Sequence, residues 1–149
     1  SNLATASIGV TMDDAIFASG NIVVNGATGG SSIAGISYSV GITSTAGNVT
    51  FNGSATNGVG VYNLMGGAST ITANNITIDG TTSLAPNWAT YIGTLTINTA
   101  AVGGSIAVTG NVIGTPGGAG GIYQIGTITA RSGSNITFTS NNTTRWFWF

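Results

Sequence analysis

Five segments of this chain are variants of one phrase: GNIVVNG at 20–26, GNVTFNG at 47–53, NNITIDG at 74–80, GSIAVTG at 104–110 and SNITFTS at 134–140. Their starts lie 27, 27, 30 and 30 residues apart. A period of this size narrows the fold sharply, because a unit must resemble its neighbour chemically only when it stacks on that neighbour. Inside each copy apolar residues alternate with small, polar or β-branched ones, which is the period of a strand. Helices fit poorly, since β-branched residues dominate and 25 glycines interrupt the chain.

A second recurring piece lies between the copies: GISYSVGITS (35–44), GVYNLMGGASTITA (60–73), TYIGTLTIN (90–98) and GIYQIGTITA (121–130). Each unit therefore holds three short strands. Propeller blades need about 40 residues or more, so a propeller is excluded. The expected fold is all-β: a parallel β-helix, or solenoid, of about four to five coils with 27–30 residues per coil, forming one domain over residues 1–149. Parallel stacking sets equivalent residues about 4.8 Å apart. The expected inward columns are Ile22, Val49, Ile76, Ile106 and Ile136; Val24, Phe51, Ile78, Val108 and Phe138; and Ile16, Ile42, Ile71, Leu95 and Ile128. Tyr38, Tyr62, Tyr91 and Tyr123 are read as one further column with Met12 at its start. Gly and Asn at the corners are expected to supply positive-φ turns. SLAPNWA (83–89) and GTPGGAG (114–120) read as loops inserted at corners.

Charge excludes several classes of function. Only 3% of residues are charged, and Asp13, Asp14 and Asp79 stand against Arg131 and Arg145 for a net charge of −1. Nucleic-acid binding needs clustered Lys and Arg, so no nucleic-acid partner is expected. No apolar run reaches the 18 residues of a transmembrane helix. Cysteine and histidine are both missing, so thiolate and imidazole metal sites are excluded and no cofactor is implied. Solvation by hydroxyls and amides rather than charges points to an extracellular or cell-surface location.

Few residues suggest chemistry. Glycoside hydrolysis needs two carboxylates facing each other across a bond, about 5–9 Å apart. Asp13 and Asp14 are adjacent, which suits a turn better, and Asp79 reads as a corner residue. GTPGGAGG lacks the Lys-Ser/Thr ending and following helix of a phosphate-binding loop. The tyrosine column reads as core or corner packing, with a sugar-binding strip as the alternative. A polysaccharide-cleaving enzyme is the weakest of the functional readings, and no catalytic residue is assigned.

Two outward features remain. Thr70 and Thr72, Thr94 and Thr96, and Thr127 and Thr129 flank one core column in three successive coils, with Gly41 and Thr43 one coil earlier. A T-x-T step is about 6.7 Å and coils repeat at about 4.8 Å. This two-column array resembles the face of ice-binding β-solenoids. The ending TRWFWF sets Trp146, Phe147, Trp148 and Phe149 side by side, an apolar segment expected to cover an open end or to dock into another subunit.

The GN-apolar-T-apolar units, together with GSIAVTGNVIGT and GTITARSGSNITFTSNN, resemble the β-helical passengers of filamentous-haemagglutinin-like adhesins, which are secreted by two-partner or autotransporter routes. The resemblance implies a rod-like, secreted or surface-displayed bacterial protein used for attachment, with a host or environmental glycan surface as partner. Units here are longer than the usual repeat of about 20 residues. The chain begins and ends inside a unit, so it is expected to be a piece of something longer or a protomer completed by its neighbours. With almost no charge to keep copies apart, self-association end to end or through residues 145–149 is the expected assembly. An ice-binding or carbohydrate-binding solenoid is the alternative.

Overall fold

The computed structural model describes residues 7–30, 32–64, 68–83, 88–97, 103–114 and 120–142. These form three parallel sheets, each of five strands. Sheet A stacks β1 (Ser7–Met12), β4 (Ser32–Tyr38), β7 (Val59–Asn63), β10 (Thr90–Ile92) and β13 (Ile122–Gln124). Sheet B stacks β2 (Ile16–Ala18), β5 (Ile42–Ser44), β8 (Thr70–Ala73), β11 (Thr94–Ile97) and β14 (Ile128–Thr129). Sheet C stacks β3 (Ile22–Thr28), β6 (Val49–Ala55), β9 (Asn75–Thr82), β12 (Ser105–Val112) and β15 (Asn135–Asn142). The chain visits A, B and C in turn, so four turns separate the first and last strand of each sheet. The expected β-solenoid is the observed fold. No helix among the described residues is long and apolar enough to cross a membrane.

All three expected aliphatic columns are in register. Ile22, Val49, Ile76, Ile106 and Ile136 pair in sequence along sheet C, as do Val24, Phe51, Ile78, Val108 and Phe138. Ile16, Ile42, Ile71, Leu95 and Ile128 do the same along sheet B. Val49, Phe51, Ile76, Ile78, Ile106, Ile71 and Leu95 are completely buried. Each fully buried aliphatic contributes about 1.5–3 kcal/mol, and only stacking on a neighbouring coil removes it from water.

Where sheet C passes to the next strand of sheet A, the two sheets converge until no side chain fits between them. A Cβ placed on Gly26, Gly53, Gly80 or Gly110 of sheet C would strike the backbone carbonyl of Gly35 or Gly60 on sheet A, or of Ala89 or Gly121 just before its strands. From the other side, a Cβ on Gly9 or Gly35 would meet the backbone of Ala27 or Ser54. The cross-section is thus a wedge: glycine at the tip, aliphatics in the middle, and sheet B closing the wide side. Glycine here permits close approach of backbones, a different task from turning.

The corners meet the expectation for glycine and not for asparagine. Left-handed φ occurs at Gly30, Gly103, Gly114, Gly126 and Gly133, and at no other residue type among the described residues. Asparagine serves instead through its side chain, which bonds the coil above. Along the corner between sheets B and C, Asn48 N–H donates to Asn21 Oδ1 at 2.9 Å and Asn75 Nδ2 donates to Asn48 Oδ1 at 2.7 Å. The backbone N–H of Ser105 continues the line to Asn75 Oδ1 at 2.9 Å. An amide carries both a donor and an acceptor, so identical residues satisfy one another when stacked.

The wedge geometry predicts a position-dependent cost of adding a side chain. Gly53→Val should destabilise the fold by at least about 2 kcal/mol, because the obstructing atoms are backbone and cannot move aside. Gly20→Ala, where nothing lies within 4 Å of the new Cβ, should leave the thermal midpoint nearly unchanged. Circular-dichroism melts of the two variants check this; equal midpoints would contradict the wedge.

Candidate functional site

With the interior committed to packing, chemistry is confined to the three outward faces. On sheet B the second threonine column is continuous: Thr43, Thr72, Thr96 and Thr129 pair in sequence. Thr70 pairs with Thr94, and Thr127 occupies the position beyond it, just before β14. All six expected residues therefore share one face. Thr70, Thr72, Thr94 and Thr96 are half-buried and Thr127 and Thr129 exposed. Because neighbouring coils fix each strand, the face presents hydroxyl and methyl groups at about 4.8 Å by about 6.7 Å without further ordering. One position breaks the column, for the coil before Thr43 carries Phe17.

Sheet A separates the tyrosines. Tyr62, Tyr91 and Tyr123 are in register on the outward side, whereas Tyr38 pairs with Met12 below it and Asn63 above it and lies in the core. The single column expected from sequence is corrected to one buried tyrosine and a three-membered outer ladder. Tyr62 meets Tyr91 edge-on at 5.2 Å between ring centroids, Tyr91 stacks on Tyr123 at 5.0 Å, and Trp88 tilts against Tyr123 at 4.9 Å. Trp88, from the inserted loop, extends the ladder sideways, a role its position in SLAPNWA does not reveal. The rings engage one another's faces, which favours a stabilising ladder over an open platform for sugar rings.

Sheet C carries an amide face. Asn52 Nδ2 donates to Asn25 Oδ1 at 2.8 Å, Asn111 Nδ2 to Asp79 Oδ1 at 2.9 Å, and Asn141 Nδ2 to Asn111 Oδ1 at 2.9 Å. Asp79 is in register with Asn52 and Thr109 in the body of β9, so its assignment to a corner is corrected. Asp13 and Asp14 are exposed between β1 and β2, where Ser39 Oγ donates to Asp13 Oδ1 at 3.4 Å. Among the described residues no three of His, Cys, Asp and Glu gather as a metal site. Trp146, Phe147, Trp148 and Phe149, the expected assembly contact, lie outside the described residues, as does Arg145.

Comparison with protein-family models, curated proteins and solved structures gives no match.

Tyr38 couples this sheet to pH. Burial pushes its phenol well above the ordinary value, a rise that the nearby Gly93 backbone and Asn63 side chain offset only in part. The Tyr91 phenol is also raised, first by desolvation and then by the neighbouring Tyr123 and Tyr62. A folded-state value above the unfolded one, about 10 for tyrosine, gives stability that is intact below that pH and declines as pH rises above it. Chemical denaturation at increasing pH should show the native protein weakening above about pH 10, with a flatter decline in Tyr38→Phe. Parallel declines in the two proteins would remove Tyr38 as the cause.

Proposed function

We propose that this chain is a non-enzymatic, extracellular adhesive rod from a bacterial surface protein similar to the filamentous-haemagglutinin-like adhesins. The observation that carries the reading is the in-register repetition of outward groups: threonine on sheet B, tyrosine on sheet A, and amides on sheet C. One hydroxyl or amide binds a sugar weakly. A rigid row of them at fixed spacing converts successive contacts into intramolecular ones and multiplies the affinity. The same ladder supports self-association, because the outermost described strands expose backbone edges and inward side chains. Ile136 and Phe138 of β15 are 47% and 42% exposed, where Ile106 and Val108 one coil below are buried. Filaments follow if one copy's end continues another's coil.

On intact cells that make the protein, antibody against the folded rod should label the surface without permeabilisation. Beads coated with the folded chain should bind glycan-coated surfaces and release after thermal unfolding of the rod. Labelling seen only in permeabilised cells, or bead binding indifferent to unfolding, would refute display of the folded rod.

A second reading is favoured by the continuity of the threonine columns: sheet B binds ice, its fixed hydroxyls and methyls holding water in a lattice-like layer. Thermal hysteresis should then be measurable and should fall at least tenfold when Thr72, Thr96 and Thr129 are replaced by Lys. Lack of hysteresis in the unaltered protein would end this reading and leave the adhesive one intact.

A further inference from the structure

The outer surface of the first coil departs from every coil above it. At the column position where later coils carry Thr43, Thr72, Thr96 and Thr129, the first coil carries Phe17. Where they carry Thr50, Thr77, Ala107 and Thr137, it carries Val23. Where they carry Ser54, Thr81, Asn111 and Asn141, it carries Ala27. Phe17 is 75% exposed and Val23 60%. A single exposed apolar residue means nothing. Here the departure recurs in three aligned columns of one coil, and its two large members flank the same corner at 19–21. The turn immediately before β2 also holds two of the protein's three acids, Asp13 and Asp14, both exposed.

One segment of the chain has the complementary chemistry. Residues 145–149 read Arg-Trp-Phe-Trp-Phe: a cation followed by four large aromatics. Within one chain the full pairing, cation on acids and aromatics on Phe17 and Val23, is out of reach. The strand pairings place Asn142 four coils above Thr28, which is five residues along β3 from Val23. Four coils of about 4.8 Å and five residues of about 3.3 Å set Val23 about 25 Å from Asn142. Seven fully extended residues span at most about 25 Å, so Arg145, three residues on, stays far short of Asp13 and Asp14.

We propose that the outer face of the first coil is the docking site for residues 145–149 of a second copy of this chain. Arg145 pairs with Asp13 and Asp14, and the aromatics that follow it cover Phe17 and Val23. The contact is heterologous, joining the last coil of one copy to the first coil of the next, so it propagates instead of closing. This deepens the self-association of the adhesive-rod reading and rests on it.

The test uses the 149-residue chain, with sedimentation velocity over a wide concentration range. Phe17→Thr/Val23→Thr gives the first coil the residue that most of each column already carries, so the ladder and its circular-dichroism spectrum should be unchanged. Association of that variant should be at least tenfold weaker. Removal of residues 145–149 should weaken it equally, and Asp13→Asn/Asp14→Asn should weaken it with reduced dependence on salt. A mixture is decisive. The truncated chain keeps the face and the threonine variant keeps the tail, so neither should self-associate while the two together form a heterodimer. The proposal is overturned if the native chain stays monomeric, if the threonine variant associates like the native chain, or if the mixture forms no heterodimer. It is overturned too if association needs Phe17 and Val23 but survives truncation, which would assign the face to another occupant. Glycan binding by beads coated with the threonine variant tells this failure from failure of the adhesive reading, since beads that still bind leave the latter standing.

Discussion

The close approach of sheets A and C is the constraint on which the rest of the molecule depends. At that edge the backbone of Gly53 lies against that of Gly60, and Gly110 against Gly121, with no room for a Cβ. The convergence sets the opening angle of the wedge and hence the width available to the aliphatics behind it. That width matches residues such as Val49, Ile76 and Ile106, one per coil. Ala89 stands where the other coils carry Gly35, Gly60 and Gly121, and its backbone carbonyl lies as close to Gly80 as theirs do to the facing glycines. The glycines of the sheet C column, Gly26, Gly53, Gly80 and Gly110, must all stay glycine, because each faces partner backbone and not a side chain that could shrink.

A parallel ladder also dictates what each surface can hold. Every residue sits on its counterpart one coil away, so a side chain is favoured when it can satisfy a copy of itself. Asparagine meets this by pairing Nδ2 with Oδ1, as Asn75 does with Asn48 and Asn52 with Asn25. Tyrosine meets it by ring contact, as Tyr91 does with Tyr123. Threonine meets it because its methyl and hydroxyl suit an exposed pleat. The regular decoration needs no functional cause to exist. What it supplies is a set of rigid, periodic surfaces, and the adhesive reading uses that property.

Much of the fold was legible in the chain because stacking forces repetition. The five GN-type segments and the aliphatic columns were placed in their true register by spacing alone. Other features were lost where repetition is imperfect. Tyr38 follows its column glycine by three residues, as GISY, whereas Tyr62, Tyr91 and Tyr123 follow Gly60, Ala89 and Gly121 by two, as GVY, ATY and GIY. One residue of difference reverses the face of a strand, and counting from the glycine exposes it. The positive-φ role assigned to asparagine failed because residue type alone does not separate a turn former from a ladder former. Asp79 was misplaced for a related reason, since it interrupts a run of Asn and Thr in mid-strand. The threonine array was readable because T-x-T alternation and the coil period together fix both of its dimensions.

The same logic ranks the unusual positions. Inward residues and the glycine tip are held by packing, so variation there is constrained by the fold. Outward residues are held only by their resemblance to the copies above and below, and a polar outer column can continue at little cost. Replacing threonine by Phe17 and Val23 in the first coil gives up that continuity and leaves apolar area in water, for no gain that the described neighbours provide. Stability within the coil therefore does not account for these two residues. The proposed tail contact would account for them, by bringing apolar surface to sheets B and C together, next to two carboxylates.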